Sequence, residues 1–298
     1  MNKQRWLITG AGGQLGGHVC AALARSDQRP QALGVVRAAP CGALGTPAAH
    51  CELTDSDALR GVVRAFRPTH ILHAAALSAV GDCHREPALA QRVNAGATRV
   101  LAELADEWTA RLVYVSTDMV FDGAAAPYRE TDAPAPLSAY GRSKLAGESA
   151  ALEAPRALVV RPPLMYGFPR TARETTFSKQ MAALRCGAPL TLFTDEFRTP
   201  LWLADAARAL LALCASDLAG LIHLAGPQRL SRFELIEQCA RVLGISRPNL
   251  VPISRLDVEA PEPRPADLSL DAARFLRFAP ELAPGRVRAE VFEPMACA

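Results

Sequence analysis

The stretch "LITGAGGQLGG", residues 7–17, restricts the fold more than any other part of the chain. Gly10, Gly13 and Gly16 recur every third residue, directly after an apolar run and directly before a helical pattern. The backbone must turn sharply there. Without side chains in the way, a pyrophosphate can approach the helix N-terminus, where free amides and the helix dipole favour negative charge. Glycine spacing alone is common in turns. Its place between a strand and a helix makes it a dinucleotide-binding loop.

The rest of the chain agrees with that start. The spacing predicts strands over 5–9, 32–36, 71–75, 112–116 and 157–161, with helices over 14–24, 55–66, 89–105 and 138–152 between them. Alternating strands and helices imply a parallel sheet covered on both faces. Right-handed crossovers make it a doubly wound α/β sheet of the Rossmann type. Beyond Gly167 the rhythm changes. Helices are expected over 177–186 and 201–215 and one more strand over 221–225. The capping box formed by Ser231 and Glu234 should open a further helix that stops at Gly244. The proline-rich "EAPEPRPADLSLD", residues 259–271, is expected to cross the surface as no regular element.

Composition narrows the partners. Half the residues are hydrophobic and 21% are charged, an ordinary globular balance. The 33 basic and 30 acidic residues leave a net charge of +3, with no basic run interleaved with aromatics, so nucleic acid is not an expected partner. Scattered arginines would still suit a phosphorylated small molecule. The eight cysteines (Cys20, Cys41, Cys51, Cys83, Cys186, Cys214, Cys239, Cys297) form no CxxC pair and read as reduced thiols of a cytoplasmic protein. The apolar stretch near the start stops after three residues, which is unlike a signal peptide, and no run of about 18 apolar residues suggests a membrane span. The six histidines lack ligand spacing, so no metal is expected.

Arg37 follows the second strand, where many such folds carry an acid for the ribose 2′-hydroxyl. A guanidinium suits a 2′-phosphate instead, which favours NADP(H), with NAD(H) as the alternative. Glu52 and Leu53, just before a helix cap at Thr54, are placed to meet the adenine. "HAAA", His73 to Ala76, offers small residues at a strand end.

Tyr140 and Lys144 stand four apart on one helix face. A free phenol has a pKa of about 10, and a neighbouring ammonium is expected to lower it. Lys144 can also hold ribose hydroxyls. Ser116, Thr117 and Asp118 end the preceding strand, at the carboxyl edge where open α/β sheets bind ligands. Joined to the glycine loop, this constellation points to proton transfer beside a bound nicotinamide.

With these residues the chain resembles the extended short-chain dehydrogenase/reductases, and more narrowly the dTDP-4-dehydrorhamnose reductase branch with its related regulatory β subunits of methionine adenosyltransferase. The segments "HAAALSAVGDC", "RVNAGATRVLAELA", "VYVSTDMVFDG", "YRETDAPAPLSAYGRSKLAGE", "LIHLAGPQRLSRFELI" and "PRPADLSLD" carry the likeness together with the glycine loop. The resemblance implies catalytic roles for Thr117, Tyr140 and Lys144. It also implies a cofactor surface of Gly10, Gly13, Gln14, Leu15, Gly16, Glu52, Leu53 and Ala74, Ala75 and Ala76, to which Ser116 and Pro163 are added by position. Residues 1–167 plus about 199–226 would form the dinucleotide-binding domain, and 168–198 plus 227–298 a smaller substrate lobe. The family likeness suggests a homodimer and a nucleotide-sugar substrate.

Two departures concern the sugar. Met119 stands where the rhamnose-forming reductases usually have tyrosine, and Pro163, Leu164 and Met165 occupy a segment that usually carries tryptophan. Asp118 either orients substrate or caps its loop, and Arg198 either meets a substrate phosphate or forms a salt bridge at the lobe junction. Asn94 either bridges the cofactor strand to the catalytic loop or bonds backbone within its helix. Ser116 has no base placed to make it a nucleophile, His73 reads as a satisfied polar group, and Cys83 as a buried thiol. A carbonyl reductase is the leading expectation. An epimerase of the same superfamily and a non-catalytic cofactor-binding regulatory subunit are the alternatives.

Overall fold

A seven-stranded sheet organises the computed structural model, which describes residues 4–26, 30–37 and 45–293. Cys41 and Cys297 lie outside the described residues. The chain runs β1 (Arg5–Thr9), α1 (Gln14–Ala24), β2 (Gln31–Val36), β3 (Ala48–His50), α2 (Ser56–Phe66) and β4 (His70–His73). There follow α3 (Val80–Arg85), α4 (Pro87–Gln91), a π-helical segment Arg92–Gly96, α5 (Ala97–Glu107), β5 (Arg111–Val115), α6 (Ala139–Ala151) and β6 (Ala157–Arg161). Next come β7 (Met165–Tyr166), α7 (Thr176–Arg185), β8 (Leu190–Phe193), β9 (Phe197–Arg198), β10 (Leu201–Trp202) and α8 (Leu203–Cys214). The chain continues with β11 (Gly220–His223), β12 (Leu230–Ser231), α9 (Arg232–Val242), β13 (Leu250–Ile253) and α10 (Ala273–Phe278).

The sheet order is β11-β6-β5-β4-β1-β2-β3, and its neighbouring strands pair in parallel. After β3 the chain returns to the other side of β1. The gap between β1 and β4 is therefore the topological switch point where such sheets bind ligands. Every residue of β5 and β6 is buried, as a sheet covered on both faces requires. One face packs on α1 and α8 through Val19, Leu23 and Leu210, and Phe275 of α10 joins that core. The other packs on α2 and α5, where Leu59, Val63 and Phe66 repeat at helical spacing. A separate apolar cluster, including Tyr166, Phe177, Met181, Leu192, Leu235 and Ile236, joins α7 and α9 to the paired β8 and β13.

The differences from the sequence reading have local causes. The strands expected to reach 75 and 116 stop at His73 and Val115, and their last residues become the carboxyl-edge loops. The helix expected over 89–105 is broken into α4, the π segment and α5. There the Asn94 carbonyl accepts from Thr98 Oγ1 at 2.7 Å and from the Tyr114 hydroxyl at 3.2 Å, diverting it from the regular ladder. Asp55, not Thr54, caps α2, accepting from the Ala58 amide at 2.9 Å. The short β3 and the pair β8–β13 bury only Leu192 among their residues and leave no periodic signature. The Ser231–Glu234 capping box does open α9, and Gly244 sits beyond its end at φ +72°.

Candidate active site at the carboxyl edge of the sheet

The loop from β1 to α1 forms a cradle. Gly10 has φ +70°, and a Cβ there would lie 2.8 Å from the backbone of Ala75. A Cβ on Gly16 would overlap the Gly10 carbonyl. Gly13 caps α1 with no side-chain hydrogen bond, and the first turn holds no acidic residue. The amides of Gln14, Leu15 and Gly16 are therefore left for an anion. Across the switch point, the Ala75 amide donates to Thr9 Oγ1 at 3.2 Å, which ties the half-buried 74–76 loop to this cradle. Arg37 is exposed at the end of β2. Glu52 is exposed, Leu53 packs on the α2 core, and Pro163 is buried behind β6. This donor set fits the pyrophosphate of a dinucleotide.

Helix α6 brings Tyr140 and Lys144 to the same edge. Ser138 caps it by accepting from the Gly141 amide at 3.1 Å. Gly141 leaves room for the Met119 carbonyl, which a Cβ would strike. The helix is thus pressed onto the loop that follows β5. Lys144 is buried, and its Nζ donates to the Val115 carbonyl at 2.7 Å and lies 4.1 Å from the centre of the Tyr114 ring. Burial pulls its pKa down to about 7, against the raising influence of Glu148 and Cys83.

Tyr140 is half-buried, and burial pushes its phenol above the usual value, opposed by a hydrogen bond with the Thr117 side chain and reinforced by Asp118 and Cys83. The expected acidification by Lys144 is corrected here. The ammonium spends a proton on a backbone carbonyl, and desolvation of the phenol wins. Burial thus shifts the phenol away from phenolate rather than toward it. Thr117 Oγ1 donates to Asp118 Oδ1 at 3.1 Å and accepts from the Met119 amide at 3.2 Å.

A buried polar layer supports this edge. Glu148 accepts from Ser116 Oγ at 2.5 Å and takes two bonds from Arg161, at 2.8 Å and 2.6 Å. Sequence reasoning missed Glu148, although Tyr140, Lys144 and Glu148 stand four apart on one helix face. It missed Arg161 as well, whose partner is remote in sequence. Arg198 does not stand free: its Nε lies 3.3 Å from Asp118 Oδ2, both side chains buried. Burial raises the Asp118 pKa while Arg198 opposes the rise. Behind this pair, Glu196 meets Arg232 at 3.5 Å and Arg264 at 3.1 Å.

Asn94 does bridge elements. It exchanges bonds with Leu77 at 2.8 Å and 3.0 Å, and donates to Ser143 of α6 at 2.9 Å. His73 is held between Thr9 and Thr98 at 2.6 Å and 3.1 Å, and burial drives its pKa down to about 3. Cys83 is a buried thiol pushed up to about 11 by burial. Met119 is half-buried and packs beside Val120 and Phe121, while Leu164 packs on the α7–α9 cluster.

Residues 4–283 match the RmlD substrate binding domain family. The chain belongs to that family. It is 34% identical over 282 residues to a dTDP-4-dehydrorhamnose reductase of Streptomyces griseus, covering 92% of this chain and 87% of the relative. It is 32% identical over 279 residues to the methionine adenosyltransferase 2 subunit beta of Danio rerio, covering 91% and 84%. Among solved structures, the dTDP-4-dehydrorhamnose reductase of Bacillus anthracis in complex with NADP superposes with a TM-score of 0.82 at 26% identity, over 95% of each chain. Membership accounts for the Rossmann-type fold. Among the described residues, no group of three or more His, Cys, Asp or Glu is placed to hold a metal, and no helix is long and apolar enough to cross a membrane.

Proposed function

We propose that this protein is an NADP(H)-preferring reductase of a carbonyl group, acting on the 4-keto group of a nucleotide-linked deoxysugar, with NAD(H) as a poorer cofactor. The observation that carries the reading is the half-buried phenol of Tyr140 hydrogen-bonded with the strand-end Thr117, on the edge where the uncapped glycine cradle leaves amides for a pyrophosphate. The reductase and NADP-bound relatives support it.

When bound, the reduced nicotinamide supplies a hydride to the carbonyl carbon. Tyr140 gives its proton to the carbonyl oxygen, and the Thr117 hydroxyl supports that oxygen as charge develops. Lys144 uses one of its three protons on Val115 and keeps the others for ribose hydroxyls. Ser116, locked by Glu148, and Pro163 wall the nicotinamide side, while Gly10, Gly13, Gln14, Leu15, Gly16, Glu52, Leu53 and Ala74–76 line the rest of the cofactor. The lobe of residues 168–198 and 227–298 holds the nucleotide sugar. Met119, from the loop after β5, borders the sugar with the buried Asp118–Arg198 pair beside it, and the apolar Met119 and Leu164 hold the ring differently from the rhamnose-forming reductases.

The test is NADPH oxidation against a panel of nucleotide-linked 4-keto-6-deoxysugars and simple ketones, with NADH run alongside. Turnover on a sugar nucleotide with NADPH favoured is the expected result. No turnover on any carbonyl, with cofactor still bound, would leave the regulatory-subunit alternative standing. Arg37→Ala should lower the NADPH-over-NADH ratio of kcat/KM by about 10–100-fold, the worth of a charged hydrogen bond to a 2′-phosphate. A wild-type preference for NADH would sink the Arg37 assignment.

A further inference from the structure

The proline-rich segment over 259–271 forms no regular element of its own, but it does not simply cross the surface: Leu268, Ser269 and Leu270 are buried, and the segment runs from the substrate side to the first turn of α6. Arg264 bonds Glu196 at 3.1 Å beside Arg232 and behind the Asp118–Arg198 pair. Pro265 lies against Gly123, where an added Cβ would come within 2.8 Å of it. The Ala266 carbonyl accepts from the Phe197 amide at 2.7 Å, and Asp267 accepts from Arg229 at 2.6 Å. The strap is therefore fixed on the substrate side along its length.

Its other anchor is on the catalytic helix. Glu262 Oε1 accepts from the Ala139 amide at 2.7 Å and from Arg142 at 3.1 Å, with His84 Nδ1 of α3 at 3.7 Å. Ser138 already caps α6 by taking the Gly141 amide, so Glu262 takes a different orphan donor, one residue before Tyr140. The Glu262 side chain is only 8% exposed, and its Oε2 is buried with no hydrogen-bond partner. A carboxylate half-satisfied in this way is costly to bury. A local cap from within α6 would avoid that cost. What the buried carboxylate adds is a connection between the substrate side and the first turn of the helix.

We propose that Glu262 is a positioning residue for the proton donor: the strap presents its carboxylate to the Ala139 amide, so docking of the substrate-side segment sets where Tyr140 stands. This rests on the reading of Tyr140 as the acid. It gives Glu262 no contact with substrate or cofactor.

The experiment compares Glu262→Ala, Glu262→Gln and Arg142→Ala in the full chain. It measures kcat, the KM for NADPH, and hydrogen exchange at the first-turn amides of α6. Glu262→Ala should speed exchange at Ala139 and lower kcat by about 10–100-fold, the usual cost of misplacing a reacting group by about 1 Å, with the KM for NADPH within about twofold. Glu262→Gln keeps an acceptor oxygen and should recover most of kcat. Arg142→Ala removes only a half-exposed partner of the same carboxylate and should stay within about twofold of wild type in kcat. Unchanged exchange at Ala139, or a glutamine variant as impaired as the alanine one, overturns the proposal. Exchange readings need no substrate. Faster exchange in Glu262→Ala, restored in Glu262→Gln, would uphold the anchoring of α6 even if wild type reduced no carbonyl, a result that would count against the reductase reading instead.

Discussion

Tyr140→Phe lowers kcat by about 10²–10⁴-fold, the span that a positioned acid contributes, while the KM for NADPH stays within about twofold. The substitution removes one oxygen and keeps the ring, so the packing of Tyr140 beside Leu77, Cys83 and Ala139 is retained. What disappears is the only phenol among the proposed catalytic groups, whose proton burial holds in place at neutral pH. Thr117 cannot replace it, because an aliphatic hydroxyl is a far weaker acid than a phenol; it can only turn its one hydrogen from Asp118, 3.1 Å away in the ligand-free protein, to the carbonyl oxygen. The pH profile separates the two members of the pair. Lys144 titrates at about 7 in the ligand-free protein, with the charged form below that value. Affinity for NADPH that depends on the ammonium should therefore weaken as pH rises through about 7, in wild type and in Tyr140→Phe alike. Steady-state turnover and fluorescence titration of NADPH across pH 5–9 read both effects. Turnover in the phenylalanine variant close to wild type would remove Tyr140 from the mechanism.

How much of this was visible beforehand depends on the range of the interaction. The glycine cradle, the Tyr140–Lys144 face and the strand-end Thr117 are local patterns, so spacing alone brought them out, and the sheet puts them on one edge. The long strands and the helices α1, α2 and α6 came within a residue or two for the same reason. Three things were not legible. The break at Asn94 goes with hydroxyls of Thr98 and Tyr114, the second of them on β5. The state of Tyr140 turned on its burial, and neither that burial nor the Lys144 bond to the Val115 carbonyl leaves a trace in side-chain spacing. The ion pairs of Arg161 with Glu148 and Arg198 with Asp118 join residues 13 and 80 apart, respectively, that only the folded sheet brings together. Of the two roles its sequence neighbours offered Arg198, substrate ligand or salt-bridge partner, the favoured salt bridge is the geometry the ligand-free protein adopts, with both side chains buried.

Glu148→Ala should cost about 3–5 kcal/mol of folding stability, because removing one member of a buried ion pair leaves the other charge uncompensated. Arg161 has a side chain only 3% exposed and donates from both Nε and Nη2 to this carboxylate, while its Nη1 already lacks a partner. The alanine variant strands that guanidinium between β6 and the Phe121 ring, 5.0 Å from its centre, a cation–π contact too weak to make up the loss. It also leaves the Ser116 hydroxyl without its acceptor in a buried position. Urea melts should show a lower midpoint at an unchanged slope, since the unfolded chain exposes the same surface. Replacing both members, Glu148→Leu with Arg161→Met, should recover a large part of the loss, because the two charges are then absent together and neither pays desolvation alone. A single-variant loss under about 1 kcal/mol, or a double variant as unstable as the two singles summed, would mean that the pair is hydrated and does not hold β5, β6 and α6 together. In that case the Ser116–Thr117 turn, and with it the support for the proton donor, would have to be held by the Lys144–Val115 bond and the Asn94 bridge instead.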